Sequence, residues 1–160
     1  MESALIVVDI ASQQLTLQLP HRKASKWPVS TAEKGPGCVK GSGCTPVGLH
    51  RIRLKIGSGC PVGTVFRGRR PTGEIYSKEL AERFPGRDWI LTRILWLQGL
   101  EPGINRGGQV DTLRRYIYIH GTADEHLLGT PVSHGCIRLG TQGLLELFEL
   151  APIGATVLIQ

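Results

Sequence analysis

Twenty-one glycines and ten prolines punctuate this chain of 160 residues, and they are spread along it rather than gathered in one tract. Glycine adds backbone entropy that a helix must remove, and proline removes a helical hydrogen bond, so neither is tolerated repeatedly inside helices. A helical bundle is therefore excluded, and a turn-rich, mainly β domain is expected. The charged fraction of 20% and hydrophobic fraction of 41% are ordinary for a globular protein. The length suits one core, and residues 1–160 are expected to form a single domain. No apolar run approaches the roughly 20 residues that a bilayer-spanning helix needs, so a membrane partner is not expected.

Nineteen basic residues against thirteen acidic ones give a net charge of +6, which favours anions without naming one. The basic residues are scattered, and only three each of Trp, Tyr and Phe are present to stack on bases. Nucleic acid is accordingly not an expected partner. Met1-Glu2-Ser3 opens with an acid, and Asp9 interrupts the apolar stretch from Ala4 to Ile10, so no signal peptide is read. A cytoplasmic location is expected, or a periplasmic one if a leader has been removed. Cys38, Cys44 and Cys60 lie in Gly-rich segments and Cys136 stands apart; free thiols are favoured over disulfides.

The run Ala4 to Val8 and the alternating Leu15, Leu17 and Leu19 predict two strands joined through residues 11–14. Ile52, Leu54 and Ile56 alternate with Arg51, Arg53 and Lys55, predicting a strand with one face in the core and a solvated basic face. Residues 35–48 and 57–63 are too rich in glycine and proline for regular structure and are expected to be loops. Neither carries the pattern of a phosphate loop or a dinucleotide site. A short helix is expected over 77–84, capped by Ser77 and stopped by Pro85-Gly86. Strands are predicted over 90–97, 116–119 and 156–159, and a helix from Thr141 that ends before Pro152.

The chemistry concentrates between Tyr116 and Leu139. The predicted strand Tyr116-Ile117-Tyr118-Ile119 delivers His120, followed by Gly121-Thr122 and a polar loop, and then Ser133-His134-Gly135-Cys136-Ile137-Arg138-Leu139. A free thiol with a pKa of about 8.5 is mostly protonated at neutral pH, so a nucleophilic Cys needs an imidazole within reach to take its proton. Gly135 would let a substrate carbonyl approach, and N–H groups around Cys136 could form an oxyanion hole. Two other readings stand on spacing alone: a buried structural Cys with a core His, and a zinc site drawn from His120, His126, His134 and Cys136.

His-Gly-Thr, a gap, and Ser-His-Gly-Cys-Ile-Arg-Leu resemble the signature of YkuD-type L,D-transpeptidase catalytic domains, with His120 and Cys136 separated by 16 positions. Residues 6–19, Val29-Ser30-Thr31 and Thr45-Pro46-Val47-Gly48 also resemble the family's strands and a strand lead-in. The resemblance implies a mainly β, β-sandwich-like catalytic domain with few short helices, no metal and no cofactor. It implies that Cys136 is the nucleophile and His120 its base, oriented by a backbone carbonyl near the His-Gly pair. His134 joins the candidate catalytic group. Ser133, Gly135, Gly121, Thr122 and Tyr118 are expected to shape the oxyanion hole and substrate site, and Arg138 to meet a substrate carboxylate or a structural acid.

By the same resemblance, the partner is a muropeptide or peptidoglycan stem tetrapeptide, attacked at the L-to-D bond before D-alanine. Water as acceptor makes an L,D-carboxypeptidase, and an amine makes a crosslinking L,D-transpeptidase. The lack of a visible leader and the three spare cysteines favour a cytoplasmic carboxypeptidase in muropeptide recycling. Periplasmic crosslinking is the alternative, and a catalytically silent binding module a third. Cys38, Cys44 and Cys60 match no motif.

Overall fold

A computed structural model describes residues 4–160; Met1, Glu2 and Ser3, on which the reading of the N-terminus partly rests, lie outside them. The expected hairpin forms from β1 (Leu5–Asp9) and β2 (Gln14–Gln18), paired Leu5 to Gln18 through Asp9 to Gln14. It is followed by β3 (Ser25–Ser30) and, after the Gly-rich loop, by β4 (Gly48–Ile56). Next come β5 (Thr64–Arg67), β6 (Arg70–Ile75), α1 (Lys78–Arg83) and β7 (Ile90–Gly99). The chain ends with β8 (Tyr118–Gly121), β9 (Ile137–Leu139), α2 (Thr141–Leu150) and β10 (Thr156–Ile159).

The strands lie in the order β4-β10-β1-β2-β3-β9-β8-β7-β5-β6, and β4 also pairs with β7. That second pairing closes eight strands around one interior, so those strands present no open edge. The interior is filled by Ile6, Val8, Leu15, Leu17, Ile52, Leu97, Ile119, Ile137 and Val157, among others. From α2, Leu144, Leu147 and Phe148 join the same core, following the helical spacing in the sequence. At Gly143 an added Cβ would lie 2.8 Å from the Trp27 indole, so the missing side chain lets α2 approach β3. As expected, Ser77 caps α1, its hydroxyl accepting the Leu80 N–H at 3.1 Å, and the helix stops before Pro85.

Three local expectations need correction. Leu54 does not share a buried face with Ile52, because the pairing of β4 with β7 slips between these two residues and Leu54 is left exposed. The strand expected to open at Tyr116 opens at Tyr118. Tyr116 has φ +57, a left-handed conformation that a bulky side chain seldom adopts, so the chain bends there before pairing begins. The pair β5–β6 and the short β9 were not foreseen as strands; Gly68, Pro71 and Gly73 interrupt the first, and three residues are too few to show alternation in the second.

His50 on β4 is fully buried, with Nδ1 3.0 Å from the Gly48 carbonyl and Nε2 3.0 Å from the Thr112 hydroxyl. Burial pushes its pKa from 6.5 down to about 4. The folded state therefore binds this proton less readily than the unfolded chain, and the associated stability is present above pH 6.5 and lost as pH falls toward 4. Chemical denaturation across that window is expected to show up to about 3 kcal/mol of loss from this group. His50→Gln should flatten the slope; an unchanged slope would assign it elsewhere.

Candidate active site

The two halves of the expected site meet through a parallel pairing. β8 and β9 lie side by side with Ile119 opposite Ile137, His120 opposite Arg138 and Gly121 opposite Leu139. Side chains alternate faces along a strand, and paired residues share a face. Ile117, Ile119, Ile137 and Leu139 accordingly enter the core. The other parity sends Tyr118, His120, Cys136 and Arg138 to a cavity of about 360 Å³ that all four line.

Inside it, His120 is buried, and its Nδ1 lies 2.6 Å from the Gly121 carbonyl. A carbonyl only accepts, so Nδ1 carries the ring proton of the neutral imidazole and Nε2 is left with its lone pair. Burial lowers the His120 pKa, opposed by that carbonyl and by Asp88. The expected backbone orienter is thus present.

The Cys136 thiol donates to the Tyr116 carbonyl at 3.4 Å and accepts the Tyr118 N–H at 3.3 Å. Burial pushes its pKa up to about 12, against the Tyr118 N–H and the positive charges of Arg138 and Arg115, which favour the thiolate. Both shifts favour a neutral thiol beside a neutral imidazole in the resting protein. Carboxamidomethylation of Cys136, followed by peptide mapping, is expected to accelerate about tenfold per pH unit between 7 and 10. A plateau below pH 8 would instead reveal a resting thiolate–imidazolium pair.

The remaining motif residues divide by position. The Ser133 hydroxyl donates to the Cys136 carbonyl at 2.6 Å and accepts the Gly135 N–H at 3.2 Å, so this hydroxyl folds the loop that carries Cys136 and the Gly135 donor is engaged within it. Gly135 has φ +136, and an added Cβ would lie 3.3 Å from the Cys44 carbonyl. Thr45 Oγ1 donates to the Gly135 carbonyl at 2.8 Å, seating the expected 35–48 loop against the segment that carries Cys136. His134, by contrast, is 75% exposed at the rim, with Nδ1 3.8 Å from Asp88. Thr122 accepts the Asp124 N–H and lines a neighbouring cavity, while Tyr118 receives a hydrogen bond from Arg69 on its hydroxyl. Gly121 supplies the carbonyl that holds His120.

Asp88, Arg115 and Arg69 also line the cavity, and the sequence reading did not single them out. Asp88 accepts from Arg138 Nη2 at 3.3 Å, which realises the structural-acid reading of that arginine. Arg115 donates to the carbonyls of Cys44 at 2.7 Å and Gly37 at 3.3 Å, tying the Gly-rich loop to the site. Arg69 sits over the rings of Trp96 and Tyr116 at 5.0 and 4.6 Å. Adjacency to Tyr116 could have signalled Arg115; nothing in the spacing links Asp88 or Arg69 to the motif. Cys38, Cys44, Cys60 and Cys136 are all free thiols. Among the described residues, no three His, Cys, Asp or Glu side chains are grouped to hold a metal ion, and no helix is long and apolar enough to cross a membrane.

The family model for the L,D-transpeptidase catalytic domain, YkuD, matches residues 3–159. YqjB of Bacillus subtilis (strain 168) is 46% identical over 41 residues, covering 26% of this chain and 23% of that protein. Among solved structures, an L,D-transpeptidase from Mycobacterium smegmatis aligns with a TM-score of 0.57 at 20% identity, over 99% of this chain and 59% of its own. L,D-transpeptidase 3 from Mycobacterium tuberculosis, solved with a faropenem-derived adduct, gives 0.59 at 18% identity, over 99% and 60%. The matched segment thus covers under a quarter of YqjB, the chain spans about three fifths of these solved chains, and at such identities the structures show a shared fold.

Proposed function

Since this chain belongs to the YkuD family of L,D-transpeptidase catalytic domains, we propose that it cleaves the bond between a diamino acid and D-alanine in peptidoglycan stem tetrapeptides by acyl transfer through Cys136. The observation that carries this reading is the joint placement of Cys136 and His120 in one cavity, with the imidazole held by Gly121 so that Nε2 is unprotonated. As Sγ attacks the carbonyl at the L-centre, its proton passes to Nε2. The tetrahedral species then collapses, Nε2–H protonates the departing amine of D-alanine, and a thioester remains. Water attacks the thioester, gives a proton to Nε2, and releases the tripeptide acid as the thiol re-forms. Because the resting pair is neutral, proton transfer accompanies attack instead of preceding it.

Water is the proposed acceptor. Four free thiols suit a reducing compartment, and the proposal puts the reaction on released muropeptides in the cytoplasm. Incubation with disaccharide-tetrapeptide, followed by mass spectrometry, is expected to give disaccharide-tripeptide and D-alanine. Crosslinked dimers with little tripeptide would make the protein a transpeptidase, and absence of both products and of an acyl-enzyme would overturn the acyl-transfer reading.

A further inference from the structure

Asp88 lies between α1 and β7, far in sequence from the motif, and is the one acid among the residues lining the catalytic cavity. It also lines the two cavities that adjoin it. Its carboxylate is 46% exposed, whereas the Arg138 side chain it holds is 11% exposed. Arg138 has no other side-chain partner among the described residues. The charge of Asp88 raises the pKa of both Cys136 and His120, and that of Arg138 lowers both, so the pair lies within electrostatic reach of the reacting groups.

An ion pair open to a cavity complements a ligand that carries both charges in reverse: an ammonium for the carboxylate and a carboxylate for the guanidinium. Resting on the acyl-transfer reading above, we infer that Asp88 and Arg138 together form the specificity site for the distal head group of the diamino acid, and select one bearing both an ammonium and a carboxylate. Arg138, two residues beyond Cys136, lines the same cavity as that thiol. In a 2,6-diaminodicarboxylic acid, five carbon–carbon bonds of about 1.5 Å in zigzag carry the distal centre about 6 Å from the attacked carbonyl. A lysine-type stem offers only the ammonium, leaving the guanidinium unmatched, and an amidated stem does the same. Asp88 is thus a specificity residue, distinct from the groups that make and break bonds.

The test uses four tetrapeptides that differ at the third residue's distal end: diaminodicarboxylic, its distal carboxamide, its distal N-acetyl derivative, and lysine. Calorimetric binding to Cys136→Ala protein is expected to favour the first at least tenfold over each other ligand. In the Cys136→Ala background, Asp88→Asn should abolish discrimination against the N-acetyl peptide, and Asp88→Glu should restore it. With Cys136 intact, Asp88→Asn should raise KM about tenfold or more for the diaminodicarboxylic peptide and change KM by a larger factor than kcat. Equal binding of the four, no binding of any, or unchanged selectivity in Asp88→Asn protein that melts like the parent would overturn the inference. Turnover of the diaminodicarboxylic tetrapeptide by the unaltered protein reports separately on the acyl-transfer reading: selective binding without turnover sinks that reading alone, and turnover without selectivity sinks this one alone.

Discussion

Cys136→Ala protein is expected to lose tetrapeptide turnover by a factor of about 10³ or more, with its fold intact. In the proposed reaction its sulfur is the attacking atom, and no other cysteine lines the cavity, so no thiol substitutes for it. His120→Ala should cost a comparable factor, because a thiol whose pKa stands at about 12 has no other route to the thiolate near pH 7. Since the two act as one unit, the double variant should be no slower than the worse single variant. Single-turnover kinetics with intact-mass detection separate the roles. Cys136→Ala forms no acyl adduct, whereas His120→Ala accumulates it slowly, and faster as pH rises and the thiolate population grows. Substantial turnover by Cys136→Ala protein would remove the nucleophile assignment.

Gly121→Ala is expected to be the most damaging of the small substitutions near the site. Gly121 pairs with Leu91 of β7, and a Cβ there would lie 2.5 Å from the Leu91 carbonyl oxygen and 3.3 Å from Leu144. Backbone cannot swing aside as a side chain can. Leu91 is itself paired with Val65 of β5, so relief means parting β7 from β8. Overpacking of this kind costs about 3 kcal/mol, and a chain of this size loses roughly 2–4 °C per kcal/mol, so a fall of about 10 °C in Tm is expected. The same displacement moves the carbonyl that holds His120 Nδ1 at 2.6 Å, and a misplaced base costs up to about 10²-fold in turnover. Gly86→Ala is the control, because an added Cβ there meets nothing within 4 Å and the backbone is not left-handed. Gly121→Ala protein that melts with the parent would show that the strands can part cheaply.

Part of the architecture was legible because it is written at short range. The alternation of Leu15 and Leu17, the cap at Ser77, the helical spacing of Leu144, Leu147 and Phe148, and the strand over 156–159 all appear as expected. Each is set by neighbours within a few residues. Leu54 defeats the same logic, since the slip that exposes it arises from pairing with Trp96 more than forty positions away. The active pair shows the same division. His120 and Cys136 were visible as types at a telling separation, and the parallel register brings them to one face.

Determined by the sequence alone, then, were the turn-rich β class, the family resemblance, and the candidate thiol and imidazole, because residue type and local spacing carry those properties. The tertiary structure decided their state and surroundings. Burial raises the Cys136 pKa and lowers that of His120, and the Gly121 carbonyl selects the tautomer. Asp88, 50 positions before Arg138, becomes its partner only when the turn after α1 is folded against β9. Desolvation and charge pairing depend on what surrounds a group in space, and chain neighbours supply only part of that environment.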